Sequence, residues 1–417
     1  MTPGARLAAA AEVLDRIAGS RMPADEVLKG WGKANRYAGS GDRRAIADRV
    51  YRVLRARRRL AWAAGREDGR ALVLASLALI DAEPAERIEA LYSGEGYAPS
   101  ALTEEERARL LAGAGEGAPE WVTAGLPAFV VEDLRATHGD DWPAEAEALL
   151  QPRAPVDLRV NGLKATVEQA RASLEAEGLK PERTPWSAWG LRLRAEPPPN
   201  IQKTQAFRDG WIEVQDEGSQ IAASLAGARP GETVVDYCAG GGGKTLALAQ
   251  QMHGEGRLVA CDVVARRLEA IRPRLARAGA QAELRRLGPD GEGAEDLESA
   301  ADLVFVDAPC SGSGTWRRRP EEASRLTAEE VERLHMLQVT VLDRAAKLVK
   351  PGGRLIYVTC SLLRRENEDS VAAFETAHPQ FAPAAMDHLR AKGHVLHLTP
   401  RATATDGFFV AAFGRAT

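Results

Sequence analysis

Two periodicities divide the 417-residue chain. From Arg6 to about Leu150, apolar residues recur at helical spacing, as in Ile46, Val50, Val53, Leu54 and Leu60. They sit among Ala, Leu, Arg and Glu with almost no β-branched runs, which predicts an all-helical domain. Between about Gln151 and Glu217 the pattern breaks into short strand-like runs, within QPRAPVDLRVNGLK, WSAWGLRLRAEPPPN and GWIEVQDEGSQ, around a helical piece at Glu168 to Glu177. Prolines cluster at its edges, and a small α+β linking module is expected there. From about Gly218 onward the continuous apolar runs TVVDYC, RLVACD, ADLVFVD and RLIYVTC alternate with the helical stretches TLALAQQM, RRLEAIRPRLARAG and EEVERLHMLQVTVLDRAAKLV. Strands apolar throughout are buried on both faces, so the fold class is α/β: a doubly wound, Rossmann-like parallel sheet with helices on each side. The expected division is a helical domain over 1–148, the linking module over 149–217 and the α/β domain over 218–417.

Composition bounds this picture without changing it. Hydrophobic residues make up 45% and charged residues 27%, and no window offers the roughly 18 unbroken apolar residues of a membrane span. The start, MTPGARLAAAAEVLDRI, is interrupted by Glu12 and Asp15 and reads as an amphipathic helix rather than a signal peptide. A cytoplasmic, monomeric protein with no membrane partner is expected. The four cysteines, Cys238, Cys261, Cys310 and Cys360, lie far apart with no CxxC pair, which suggests neither a metal site nor a disulfide framework. A net charge of −4 argues against indiscriminate coating of nucleic acid but leaves room for a local basic face. Arg43, Arg44, Arg49, Arg52, Arg55, Arg57, Arg58 and Arg59 lie on or beside one helix. They form either a solvated face balanced by acids or a contact to RNA phosphate.

Candidate chemistry gathers at the strand ends, where ligands bind in such sheets. Asp236 with Cys238, Asp262, Asp307 with Cys310, and Thr359 with Cys360 each close an apolar run. The glycine loop in DYCAGGGGKTLALA opens a helix and lets backbone amides approach a ligand. Its spacing fails Walker A, whose first glycine would fall on Cys238, and fails GxGxxG, whose third would fall on Thr245 or Leu246. That weakens phosphate readings and favours a nucleoside ligand without a phosphate chain, with Asp262 placed for a ribose diol; S-adenosylmethionine fits both conditions. Cys310 follows Pro309 in a Ser/Gly-rich turn and Cys360 follows Thr359 at a strand end. A single buried cysteine is usually a small hydrophobe, whereas two at neighbouring strand mouths, beside an acid and the basic turn Arg317, Arg318 and Arg319, suggest a common pocket.

These segments, VFVDAPCSGSGTWRRRPE and YVTCSLLRRENED, resemble motifs of the Nop/Sun family of RNA cytosine-5 methyltransferases. DYCAGGGGKT resembles the family's S-adenosylmethionine loop, with Gly240 and Gly241 in place of the usual Ala-Pro. VQDEGSQ, LRVN and DGFFVAAF are similar to further family segments. DRRAIADRVYRVLRARRRLAW resembles the NusB-like domain of bacterial members acting on small-subunit ribosomal RNA. The resemblance implies methylation of cytosine carbon 5 in RNA, small-subunit (16S) rRNA or a partly assembled subunit, with Cys360 as nucleophile. Cys310 would aid release of the product and Asp307 would bond the cytosine edge. It implies S-adenosylmethionine contacts from Cys238, Ala239, Gly240, Gly241, Gly242, Gly243, Lys244, Asp262, Arg267 and Asp307, with Asp290 or its rival Asp296 at the adenine amine. RNA would be held by Arg159, Asn161, Arg317, Arg318 and Arg319, with Trp316 stacking nearby or packed inside. No metal is implied. Other readings are a tRNA substrate, a DNA cytosine-5 methyltransferase using Cys310 as nucleophile, or a ribosome-assembly factor without activity; the second cysteine, in TCS, argues against the DNA enzyme.

Overall fold

The computed structural model describes residues 1–112, 117–151, 153–195 and 198–417. The chain forms two compact units, Met1–Pro152 with Trp316–Thr327, and Arg153–Thr315 with Ala328–Thr417. The first is helical, as the 3.6-residue pattern predicts. Its helices Pro3–Ala18, Ser40–Arg55 and Gly69–Leu79 bury Val13, Leu14, Ile17, Ile46, Val50 and Leu72 against one another. Starts are capped in the ordinary way: Thr2 accepts from the Ala5 amide and Asp68 from the Ala71 amide. The short segment Trp316–Thr327, expected within the α/β domain, belongs to this unit. Glu321 accepts from the Ala24 amide at 2.9 Å, Arg325 donates to the Ile17 carbonyl at 2.9 Å, and Trp316 is fully buried.

The second unit carries two sheets. Strands β1 (Val156–Val160), β2 (Glu182–Arg183), β3 (Gly190–Leu193) and β4 (Ile212–Val214) form an antiparallel sheet in the order β2-β3-β1-β4. The large sheet contains β5 (Thr233–Asp236), β6 (Arg257–Asp262), β7 (Glu283–Arg286), β8 (Ala301–Asp307), β9 (Val349–Thr359), β10 (Phe381–Pro383), β11 (Val395–Leu398) and β12 (Phe408–Arg415). Its order is β10-β12-β9-β8-β5-β6-β7, with β11 paired to β12. Strands β5 to β9 run parallel, whereas β10, β11 and β12 pair antiparallel, so the sheet is mixed rather than wholly parallel. The chain runs outward from β5 through β6 and β7, then returns beside β5 to lay down β8 and β9. The switch point therefore lies between β5 and β8.

The linking module shares one compact unit with the large sheet. The cause is polar as well as apolar. Arg159 on β1 is buried, donating to Gln215 at 2.7 Å and to Gln250 of the Gly243–Gln251 helix. Asn161 is equally buried and donates to the carbonyls of Gly210 at 2.9 Å and Ala278 at 2.8 Å. These two side chains, expected to grip RNA, make these bonds inside the protein. Beside them, Arg192 forks onto Asp157 at 2.6 and 2.7 Å in a fully buried pair.

Candidate active site

Strand β5 ends at Asp236 and turns into the glycine loop. Gly240 and Gly242 have φ of 54° and 80°, a region costly for residues with a Cβ, and a Cβ on Gly242 would lie 2.8 Å from the Ile271 side chain. The loop is held by the neighbouring strand β6: the Ala239 amide donates to the Cys261 carbonyl at 2.8 Å, and the Gly240 amide to Asp262 at 3.0 Å. Asp262, at the end of β6, is buried and also accepts from the Val264 amide at 2.7 Å. Each of its oxygens keeps a lone pair for a diol. Arg274 clasps the loop from outside through the Gly241 carbonyl.

Behind the loop, Asp236 is completely buried. Thr245 donates to one of its oxygens at 2.7 Å, while the other has no hydrogen-bond partner within the described protein. Burial pushes its carboxyl up to about 7, with Asp307 adding to the rise and the Thr245 bond opposing it. Lys244, the first-turn lysine, reaches Asp307 at 2.6 Å and stands 5.3 Å from the centre of the Phe408 ring. Burial alone would lower this lysine, but Asp307, with a smaller part from Cys360, holds it above its ordinary value, so it carries a full charge.

The two cysteines meet here. Strand β8 ends at Asp307 and delivers Cys310; β9 ends at Thr359 and delivers Cys360; their sulfurs are 3.4 Å apart, both half-buried. Cys310 is pushed well above the usual thiol range, first by its hydrogen bond to Cys360 and then by burial. The close approach is made possible by glycine: the Gly314 amide donates to the Cys360 carbonyl at 3.0 Å, and a Cβ on Gly314 would collide with the Gly407 carbonyl at 2.3 Å.

One residue that the sequence reading passed over organises both cysteine turns. Glu366, fully buried, accepts from the Ser311 amide at 2.8 Å, from Gln338 at 3.0 Å, and from the Ser311 and Ser361 hydroxyls. Asn367 accepts from Thr359 at 2.6 Å and donates to the Ser361 carbonyl at 3.0 Å. In RRENED these look like part of a surface charge run. The available signal was the repeated Cys-Ser pair, Cys310-Ser311 and Cys360-Ser361, which puts two hydroxyls in want of one acceptor.

Of the remaining expected contacts, Asp296 is held by Arg257 and Arg285, whose hydrogen bonds keep it down at about 2. It is thereby a structural acid. Asp290 is exposed and pairs with Arg344 at 3.2 Å. Arg267 lies exposed in the first turn of the Ala265–Ala278 helix. Cys238 is half-buried and Cys261 fully buried, both thiols raised by burial. Arg317, Arg318 and Arg319 belong to the helical unit. Arg317 is buried, Arg318 half-buried and Arg319 exposed. In the arginine-rich helices, Arg49 and Arg52 both pair with Asp81 and Arg57 with Glu67, while Arg44 and Arg59 stay exposed.

A Rossmann-like sheet with a glycine loop after its first strand and an acid closing the second defines an S-adenosylmethionine-dependent methyltransferase. The chain belongs to the family described as 16S rRNA methyltransferase RsmB/F, whose profile matches residues 223–414; a profile of that family's ferredoxin-like domain matches residues 126–199. It is 33% identical to the ribosomal RNA small subunit methyltransferase B of Xanthomonas campestris over 306 residues, 70% of this chain and 67% of that protein. To the probable enzyme of the same name from Bacillus subtilis it is 32% identical, over 61% of this chain and 58% of that one. Among solved structures, PH0851 superposes with a TM-score of 0.79 at 27% identity, covering 99% of both chains. NSun6 from Pyrococcus horikoshii, solved with SFG, has a TM-score of 0.63 at 20% identity over 70% of this chain and 99% of that one, and shares the fold.

Proposed function

We propose that the protein methylates carbon 5 of a cytosine in small-subunit ribosomal RNA, with Cys360 as covalent nucleophile and Cys310 assisting release. The observation that carries this reading is the pair of sulfurs 3.4 Å apart at the mouths of β8 and β9, beside the Lys244–Asp307 pair. Cytosine carbon 5 is a poor nucleophile. Addition of the Cys360 sulfur to carbon 6 places enamine electrons on carbon 5, splitting one difficult step into easier ones. S-adenosylmethionine supplies the methyl group when bound; Asp262 would hold its ribose and the Cys238–Lys244 loop its methionine portion. Its fit is supported by the glycine loop, by Asp262's free lone pairs and by the orphaned oxygen of Asp236. Asp307 would bond the cytosine edge. After transfer, a base takes the carbon 5 proton, the freed electron pair re-forms the ring double bond, and the Cys360 sulfur leaves carbon 6 as a thiolate. Cys310, touching Cys360, is suited to act as that base or to work through one. The target base must be unstacked or single-stranded to enter. Exposed Arg319 and half-buried Arg318 are the strongest phosphate contacts of the expected set, and the choice of ribosomal RNA rests on the relatives' names.

The test pairs two variants on RNA from a strain lacking the gene. Cys360→Ser is expected to abolish 5-methylcytosine formation by nucleoside mass spectrometry, whereas Cys310→Ser accumulates a protein–RNA adduct that survives denaturing electrophoresis and needs Cys360. Normal turnover by Cys360→Ser would overturn the nucleophile assignment, and an adduct through Cys310 would favour the DNA-enzyme chemistry. Bisulfite sequencing of total RNA then reads the target position directly.

A further inference from the structure

We infer that Glu366 is a positioning residue that sets the spacing of the two cysteine sulfurs, tying both cysteine turns to a single buried carboxylate. The inference rests on the proposed cytosine chemistry for its catalytic consequence, but its structural content stands on geometry alone. One oxygen of Glu366 accepts from the Ser311 amide at 2.8 Å and from Gln338 at 3.0 Å; the other accepts from the hydroxyls of Ser311 and Ser361. Ser311 follows Cys310 and Ser361 follows Cys360. Gln338 also donates to the Pro309 carbonyl at 3.0 Å, so the residues on both sides of Cys310 are fixed through the same side chain. The Ser361 hydroxyl in turn accepts from the Leu363 amide at 3.0 Å and lies 3.0 Å from that of Ser313.

A carboxylate suits this place because it only accepts, and its charge shortens and strengthens each bond. A glutamine would turn an NH2 group toward donors and weaken at least one arm. Asn367, next in sequence, braces only the Cys360 turn, through Thr359 and Ser361. Glu366 thus spans the two turns, alongside the Ser313 hydroxyl, which accepts from the Leu362 amide at 2.9 Å. Two jobs, addition by one sulfur and expulsion aided by the other, need both sulfurs at one ring edge, and small misplacements there cost heavily.

The experiment compares the full-length protein with Glu366→Gln. The variant is expected to lose about a hundredfold in kcat, with KM for RNA and for S-adenosylmethionine changed less than about threefold. Unchanged kcat, or a loss confined to KM, overturns the inference. A second readout needs neither RNA nor cofactor: diamide takes two electrons and two protons from a close thiol pair and leaves a disulfide, and peptide mass spectrometry follows the Cys310–Cys360 bond. Oxidation is expected to be at least about tenfold slower in Glu366→Gln, because its sulfurs stand apart more of the time; equal rates overturn the inference. Should the parent fail to methylate cytosine, the proposed reaction falls, and the diamide rates still decide the positioning role. If Glu366→Gln does not fold, Ser311→Ala and Ser361→Ala each remove one arm. Both are expected to slow diamide oxidation, and parent-like rates in both overturn the inference.

Discussion

Lys244 shows how much one side chain does here. Its ammonium is buried, bonds Asp307 at 2.6 Å, faces the Phe408 ring and lies within electrostatic reach of Cys360. Lys244→Met keeps much of the stem and removes the charge, leaving Asp307 without its cation. We expect kcat/KM to fall by about a hundredfold or more and iodoacetamide alkylation of Cys360 to slow; an alkylation rate equal to the parent's would detach the lysine from the nucleophile. Cys310, Cys360, Asp307, Lys244 and Asp262 were all legible in the sequence, because each lies within a turn or two of a strand end and polar residues there have few other reasons to interrupt apolar runs. Glu366 was not: a fully buried charge and a solvated one look alike in a string of acids and arginines, and only the fold brings it under two serines 55 and 5 residues away. Arg159 failed in the opposite sense, since an arginine in a short strand reads as exposed until both faces of that strand are covered.

At the scale of elements, β5 and β1 carry the two predictions that depend on burial of charge. Asp236 ends β5 with its carboxyl pushed up to about 7 by burial, from an ordinary 3.8. A folded-state value above the unfolded one means that the native state binds the proton more readily. The associated stability is fully present below about pH 4 and is lost as pH rises through about 7. Calorimetry of the parent against Asp236→Asn from about pH 5 to 8 should therefore show the parent losing melting temperature relative to the variant as pH rises; parallel curves would contradict an elevated carboxyl. In β1 and β3, Asp157 and Arg192 form a fully buried fork, with the Glu217 amide completing Asp157 at 3.1 Å. Arg192→Met strands a buried carboxylate and should cost about 3–5 kcal/mol by denaturant titration. Arg159→Gln should likewise lower stability without altering KM for RNA, reversing what the basic residue suggests in the sequence. The mixed character of the sheet was only half visible: continuous apolar runs announced parallel strands, but DGFFVAAF has the same texture, and its antiparallel course is set by the tertiary hairpin beyond β9.

For the molecule as a whole, the least legible feature is that the chain leaves one compact unit and re-enters it. Residues Trp316–Thr327 belong to the helical unit, while Arg153–Thr315 and Ala328–Thr417 belong to the other. Nothing in GTWRRRPEEASRL marks that excursion, because a tryptophan beside arginines reads equally as a nucleic-acid contact. In the fold, Trp316 is fully buried, Ala323 nearly so, and Glu321, Arg325 and the Arg317 carbonyl bond residues of the first 55 positions. A fragment beginning at Arg153 keeps every strand of both sheets but deprives this segment of its helical partners. It would expose a tryptophan and leave the Glu321 carboxylate without the Ala24 amide. Trypsin should then cut such a fragment rapidly at Arg317, Arg318, Arg319 or Arg325 while sparing the same bonds in the full chain, and adding the 1–152 fragment in trans should restore protection. Equal protection of the isolated fragment would mean that the segment is held by the α/β unit and not by the helical one.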